Sequence, residues 1–170
     1  GFRLKGAKAL VVDGHVADLL IVAARSAGKA GEREGLTLFL VNPKAKGVAI
    51  ERTAMVDAHN AARIVFDDFE VTADHVLGEV DQGGALLDGV LNAGRAAVAS
   101  ELVGLGEEAF TRTVAYIKER KQFGKLIGEF QALQHRAAHL YTEIEMAKAA
   151  AMKAQQALDA DFAHADAAVA

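Results

Sequence analysis

The spacing of apolar residues changes at Gly83-Gly84, and no single repeating architecture accommodates both spacings. Upstream, apolar residues come in runs of four to six, at 9–12, 19–24, Leu36–Val41, 48–51 and 63–66. Runs of this length, rich in Val, Ile, Leu and Phe between Gly, Asp and Asn turn formers, predict β-strands. In the third run Leu36, Leu38 and Leu40 share one face and Thr37, Phe39 and Val41 the other. Both faces are mostly apolar, so this strand is expected to be buried on both sides. Downstream, Leu87, Leu91, Val98, Leu102, Leu105 and Ala109 step by three, four or seven, the stripe of an amphipathic helix over about 85–118. Gly124 and Gly128 interrupt the pattern. A second long helix then carries Leu133, Ala137, Leu140, Ile144, Ala147 and Ala151 on one side, and a third begins near Phe162 and runs to Ala170 without a cap signal. The fold class is α+β, with strands in residues 1–79 and helices in residues 80–170. Five strands and two and a half helices leave open sheet edges and half-covered helices. That set fits either an ordinary two-layer domain or a portion whose core is completed by further segments or another subunit.

Composition narrows the function classes. With 170 residues, 52% hydrophobic and 25% charged, the chain has the makeup of a globular protein rather than a disordered one. A net charge of −4 disfavours binding to nucleic acid or to an anionic membrane. The absence of cysteine removes disulfides, iron–sulfur clusters and thiolate zinc sites, and fits a reducing compartment. The most apolar stretch, residues 9–24, is broken by Asp13, His15 and Asp18 and is too polar for membrane insertion. The opening Gly-Phe-Arg-Leu-Lys-Gly has no targeting segment of the signal-peptide kind and no initiator Met, which leads to the expectation that the chain starts within a longer protein.

Three clusters carry candidate chemistry. Four of the nine basic residues after residue 80 fall within 118–125, Lys118 and the three of Glu119-Arg120-Lys121-Gln122-Phe123-Gly124-Lys125. One reading is a solvated cap at a helix carboxyl end, where cations are favoured. The other is a diphosphate grip, with Arg120 forking onto phosphate oxygens and Phe123 stacking on a purine. Arg95, after Asn92-Ala93-Gly94, stands amid an apolar stripe, where a charge is costly unless it is solvated, paired or used on an anionic ligand. His135, His139 and Glu143 share a helix face at ligand spacing, but no His-Glu-x-x-His core accompanies them, and no metal site is assigned. His15, His59, His75 and His164 are scattered, and Ser26 and Ser100 lack the setting of a nucleophile.

Taken together these residues resemble the acyl-CoA dehydrogenase family. The segment Glu119-Arg-Lys-Gln-Phe-Gly-Lys-Leu-Ile-Gly-Glu-Phe-Gln-Ala-Leu-Gln-His135 is similar to the signature of its carboxy-terminal domain. Phe66-Asp-Asp-Phe-Glu-Val71, Leu77-Gly78 and Gly94-Arg95 resemble family motifs in the same order. So do Gly6-Ala-Lys, Asp13-Gly14, Ala17-Asp18, Ala23-Ala-Arg25 and Leu36-Thr-Leu-Phe-Leu-Val41. The resemblance implies the later strands of a middle β-domain, a partial antiparallel β-barrel, over 1–79. Over 80–170 it implies the first helices of an up-down, four-helix carboxy-terminal bundle. An amino-terminal helical domain and the end of the bundle are then expected to lie outside the chain.

The resemblance also implies FAD-dependent α,β-dehydrogenation of an acyl-CoA thioester to the trans-2-enoyl-CoA, as in fatty acid β-oxidation. In that chemistry a glutamate removes the α-proton and the β-hydrogen leaves as hydride to the flavin. It implies electron transfer to an electron-transfer flavoprotein, a homotetramer or other homo- or hetero-oligomer, and a cytoplasmic or mitochondrial-matrix setting. By similarity Arg120, Lys121, Gln122, Phe123 and Gln131 face FAD held by a neighbouring subunit, and Asn92 and Arg95 approach the acyl-CoA. The segment Leu10-Val11-Val12 stands where many relatives have Trp-Ile-Ser/Thr against the flavin, so Val12 offers only its backbone for hydrogen bonding. Gly94 stands where some relatives carry the base, and in others the base lies beyond the position of Ala170. No catalytic residue is therefore assigned, Glu101 included, and the chain alone is expected to be inactive. Two alternatives remain open: a non-catalytic subunit of a heteromeric dehydrogenase, and a flavin-dependent oxidase or monooxygenase on the same scaffold.

Overall fold

The computed structural model describes residues 1–57, 59–162 and 165–169. In chain order they form β1 (Phe2–Val12), β2 (Leu20–Arg25), β3 (Leu36–Val41), β4 (Val48–Ala54), β5 (Asn60–Val71) and β6 (Val76–Leu77). Then follow α1 (Gly83–Glu119), β7 (Lys121–Gln122), β8 (Lys125–Leu126), α2 (Gln131–Ala160) and α3 (Asp166–Val169). The chain divides into two compact units, Gly1–Leu87 and Asp88–Ala170, with the division inside α1. None of the described helices is long and apolar enough to cross a membrane.

The first unit holds two antiparallel sheets, ordered β1-β5-β4 and β2-β3-β6, and among the described residues they do not close into a barrel. The doubly apolar run Leu36–Val41 is the central strand of its sheet, with Thr37, Leu38, Phe39 and Val41 all buried. Leu4, Ile64, Phe66, Phe69 and Val71 of one sheet join Leu20, Val22, Phe39 and Val41 of the other in a single apolar cluster. The side chains of β5 reach that cluster by changing parity, from Ala62, Ile64 and Phe66 to Phe69 and Val71. The change falls at a bulge opposite Leu4 and Gly6, where Asp68 has φ +52. A bulge inserts one residue and re-aims everything beyond it. This is why the alternation visible at 63–66 does not continue, and why β5 is longer than the run that announces it. A second bulge, in β1 between Lys8 and Val11, turns Val11 toward the cluster and leaves Leu10 and Val12 outside.

In the second unit α1 and α2 pack side by side in opposite directions. Gln155 Nε2 donates to Ser100 Oγ at 2.6 Å, Lys148 bridges Glu107 and Glu145, and the Phe110 and Tyr141 rings lie 6.2 Å apart. The α1 residues at the seam are Ala96, Val103, Phe110 and Ile117, seven apart, and α2 answers with Ala137, Ile144 and Ala151, with Leu140, Ala147 and Ala154 between them. Such spacing is the coiled-coil solution for two long helices. The stripe expected to face a partner is a different one. Leu91, Val98, Leu102 and Leu105 stay exposed, on a face about 130° around the helix from the seam at 100° per residue. The reason is that α1 is apolar on two faces, and spacing alone does not choose between them. Of the third helix expected over Phe162–Ala170, Asp166–Val169 is helical, while residues 163, 164 (the His164 singled out above) and 170 lie outside the described residues.

Two outcomes follow from this packing. Phe39→Ala removes a ring that is 1% exposed, and is expected to cost ~3–5 kcal/mol in chemical denaturation. The Glu107 carboxylate, then that of Glu145, holds the Lys148 ammonium above its ordinary pKa. A raised folded pKa stabilises fully below the unfolded value, ~10.4, and the contribution is lost as pH rises through the folded one. Glu107→Gln is expected to bring the Lys148 titration back down, followed by NMR of its ε-methylene group.

Candidate functional site

Leu10 and Val12 lie at the end of β1, 61% and 68% exposed, with Val11 turned inward between them. The bulge places Leu10 at φ +53. The chain then turns through Asp13–Val16, held by Asp13 N–H to Asn60 O at 3.0 Å and Val16 N–H to Asp13 O at 3.0 Å. Val16, Leu19 and Ile21 are exposed as well, so the first unit presents five aliphatic side chains to solvent within a dozen residues.

In the second unit Asn92 and Arg95 sit near the start of α1. Asn92 is 3% exposed, and its Oδ1 accepts from Arg95 Nη1 at 2.9 Å, while the Arg95 side chain reaches the surface. A neutral acceptor orients a guanidinium without cancelling its charge, which leaves the charge available to an anion. Gly94 beside them faces open space.

Arg120, Lys121, Gln122 and Phe123 follow the other end of α1. Lys121↔Leu126 and Gln122↔Lys125 pair as a minimal hairpin whose loop is Phe123-Gly124. Both loop residues have positive φ, +52 and +78. This turn normally takes Asn-Gly or Asp-Gly, and a bulky side chain at its first position is strained. The Phe123 ring is nevertheless 90% exposed, touching Phe130 edge-on at 6.2 Å. Lys125 Nζ caps the other ring of that pair, 4.3 Å from the Phe130 centroid. The hairpin is fastened at its base by Ile127 N–H to Arg120 O at 2.9 Å. Gly128 completes the joint, because a Cβ there would meet Ile117 O at 2.9 Å. Gln131 opens α2 directly after Phe130 and is exposed. Among the described residues the side chains of Arg120, Lys121 and Gln122 make no hydrogen bond or ion pair, so their donors are open to a ligand. His135 is exposed on the next turn, and His139 Nε2 pairs with Glu143 at 3.5 Å.

Among the described residues five non-glycine positions have positive φ. Three are aspartates (Asp13, Asp68 and Asp81), a residue that tolerates the left-handed region. The other two are Leu10 and Phe123, the two exposed apolar members of the residue set expected to face FAD that carry such strain. The structure therefore groups Arg120, Lys121, Gln122, Phe123 and Gln131 at one end of the helix pair. It does not bring Asn92 and Arg95 to them, because Asn92 and Arg120 are separated by about 40 Å of helix at 1.5 Å per residue. The strain at residues 10 and 123 is legible in no spacing rule, whereas the Asn92–Arg95 contact follows the i,i+3 spacing of a helix.

Comparison with known proteins assigns both parts of the chain to one family. Residues 1–69 match the family model of the acyl-CoA dehydrogenase middle domain, and residues 81–170 match that of the acyl-CoA dehydrogenase C-terminal domain. The chain is 33% identical over 162 residues to the mitochondrial short/branched chain specific acyl-CoA dehydrogenase of Bos taurus, covering 94% of this chain and 37% of that protein. It is 31% identical to the CarC subunit of the caffeyl-CoA reductase-Etf complex of Acetobacterium woodii, covering 93% of this chain and 42% of that subunit. Its fold matches that of glutaryl-coenzyme A dehydrogenase in its glutaryl-CoA complex with a TM-score of 0.79 at 30% identity, over 98% of this chain and 45% of that one. The chain thus spans less than half the length of these relatives. With both of its parts matched in order, and one model alone covering more than half of its residues, the chain belongs to the acyl-CoA dehydrogenase family.

Proposed function

We propose that this chain is part of an FAD-dependent acyl-CoA dehydrogenase that converts an acyl-CoA thioester to the trans-2-enoyl-CoA. Residues 1–79 supply later strands of its middle domain and residues 80–170 the first helices of its carboxy-terminal domain. The observation that carries the reading is Phe123, an exposed aromatic ring held in a strained turn beside Arg120 and Lys121, whose side chains make no hydrogen bond or ion pair among the described residues. Strain kept at an exposed position marks a contact made outside the chain's own core. The residues present fit a flavin dinucleotide. Arg120 and Lys121 suit its diphosphate, Phe123 its adenine ring, and Gln122 and Gln131 its polar edges. Leu10 and the backbone of Val12 suit the face of its ring system. When bound, FAD supplies a two-electron acceptor for the hydrogen leaving the β-carbon of the thioester.

By resemblance to the family, the hairpin serves an FAD bound by a partner subunit, which makes the enzyme an oligomer. Asn92 and Arg95 meet the acyl-CoA, Arg95 through its open charge and Asn92 by orienting it. Electrons leave through an electron-transfer flavoprotein, a partner type that accords with the Etf complex of the Acetobacterium relative. A second reading is favoured by Val12, which offers no hydroxyl to a flavin. On that reading this is a non-catalytic subunit that lends Arg120 and Phe123 to another subunit's FAD.

The purified holoprotein is expected to show a flavin spectrum that bleaches when acyl-CoA is added without oxygen. One FAD per subunit supports the first reading, and one FAD per two different subunits the second. Arg120→Ala is expected to weaken FAD retention roughly tenfold or more, the loss of a charged hydrogen bond, as measured by ultrafiltration. Phe123→Asn replaces a strained residue with one suited to the turn. It is expected to leave the fold intact, or to stabilise it by up to ~1 kcal/mol in thermal unfolding, while FAD retention falls.

A further inference from the structure

Thr37 is fully buried near the start of β3, between Leu36 and Leu38, where a hydroxyl without partners would be costly. Its Oγ1 accepts the Asp81 N–H at 2.8 Å and lies 2.5 Å from Ser26 Oγ. Ser26 Oγ in turn donates to Asp81 Oδ1 at 2.5 Å. An ionised carboxylate only accepts, and Asp81 Oδ1 is nearer to Ser26 Oγ than its other acceptor, Gly35 O at 3.3 Å, so the single Ser26 proton goes to Asp81 and the Thr37 proton goes to Ser26. The three residues close a ring in which the Asp81 amide donates to Thr37, Thr37 to Ser26, and Ser26 to the Asp81 carboxylate. Bonds chained in this way polarise one another. The backbone doubles the ring, with Ser26 N–H to Gly35 O at 2.9 Å and Gly35 N–H to Asp81 O at 3.3 Å.

What the ring holds is the start of α1. Asp81 sits at φ +66, and Gln82 bridges to Leu36. Gly83 then lies so close to β3 that a Cβ would come within 3.0 Å of Leu36 O and of Leu38. Gly84 is equally tight, with Arg33 O at 2.9 Å from where its Cβ would be. From there α1 is one uninterrupted helix through Asn92 and Arg95.

We propose that Ser26, Thr37 and Asp81 are positioning residues: their hydrogen-bond ring anchors the first turn of α1 on β3, and so secures the helix whose Asn92 and Arg95 receive the anionic thioester ligand. The anchoring stands on the ring itself, and its consequence for the ligand rests on the acyl-CoA reading above.

The test compares Thr37→Val, which keeps the shape and removes the hydroxyl, with Thr37→Ser in the holoprotein. Amide hydrogen exchange is read at Asp81 and Gly35, and KM and kcat are read with an acyl-CoA and an artificial electron acceptor. Thr37→Val is expected to speed exchange at both amides by roughly tenfold or more. It is also expected to raise KM by several-fold more than it lowers kcat, while Thr37→Ser restores both. Ser26→Ala, at an exposed position, is expected to act in the same direction if the valine variant does not fold. Unchanged exchange in the variants overturns the anchoring. Faster exchange with unchanged KM overturns the positioning role and leaves a purely structural ring. A wild-type protein that neither holds FAD nor turns over acyl-CoA overturns the functional reading instead, and exchange alone then decides the anchoring.

Discussion

A helix of 37 residues gains little from propensity in water and depends on burying a face, and α1 has two faces to bury. One is met by α2 through residues seven apart, with Ser100–Gln155 and Glu107–Lys148 setting the register as paired polar rungs. Polar pairs at a seam stabilise less than apolar ones but are satisfied in one alignment only, so they select among registers that a run of alanines would tolerate equally. The second face, with Leu91, Val98, Leu102 and Leu105, remains on the surface. The first turn of the helix rests on glycines against β3, and its last leads straight into the Lys121–Leu126 hairpin. Each residue group proposed for function apart from Leu10 and Val12 is carried on this helix or placed by where it ends.

The parts of the fold that showed in the sequence are those in which a local pattern and the tertiary outcome agree. Leu36–Val41 is apolar on both faces and is the buried centre of its sheet. The long helices announce themselves because Ala, Leu and Glu at helical spacing have no competing reading. The parts that did not show are those in which a backbone irregularity changes the rule midway. The parity of β5 flips at Asp68, which hides its second half, and β1 begins with Arg3, Lys5 and Lys8, which hide an edge strand. The face of α1 that packs was missed because α1 carries apolar residues on two faces, and spacing alone does not say which of them meets α2. The ring of Ser26, Thr37 and Asp81 joins positions more than fifty residues apart in pairs such as Ser26–Asp81, and no period or motif encodes such a closure.

The site was legible as a motif and illegible as geometry. The run from Glu119 to Lys125 has two physical readings from composition, a solvated helix cap and an anion grip. The proposed function takes the second, and Phe123 is what supports it. A solvated cap needs cations near the last carbonyls and nothing more, and it gives no reason for an aromatic residue at the tip of a two-residue turn. Phe123 occupies the position at which Asn or Asp would cost least, its ring is in water, and the contact with Phe130 covers little of it. Natural sequences agree with their fold at most positions, and the places where a residue contradicts its own backbone are those kept for another purpose.

Leu10 obeys the same logic on the other unit. The bulge that gives it φ +53 also puts Val11 into the core and both its neighbours outside, so the distortion serves to expose two aliphatic side chains that regular alternation after Lys8 would have arranged differently. A flat, largely apolar ring system with polar edges is a partner that such a surface suits. The absence of a hydroxyl at Val12 then has a defined consequence. On the proposed reading, a hydrogen bond from Val12 to a flavin would come from its backbone amide, whose direction is set by the pairing Val12↔Ala61 and cannot rotate as a serine or threonine hydroxyl does. The tuning of a flavin at this position would rest on strand geometry alone, which ties cofactor chemistry to the register of β1 on β5.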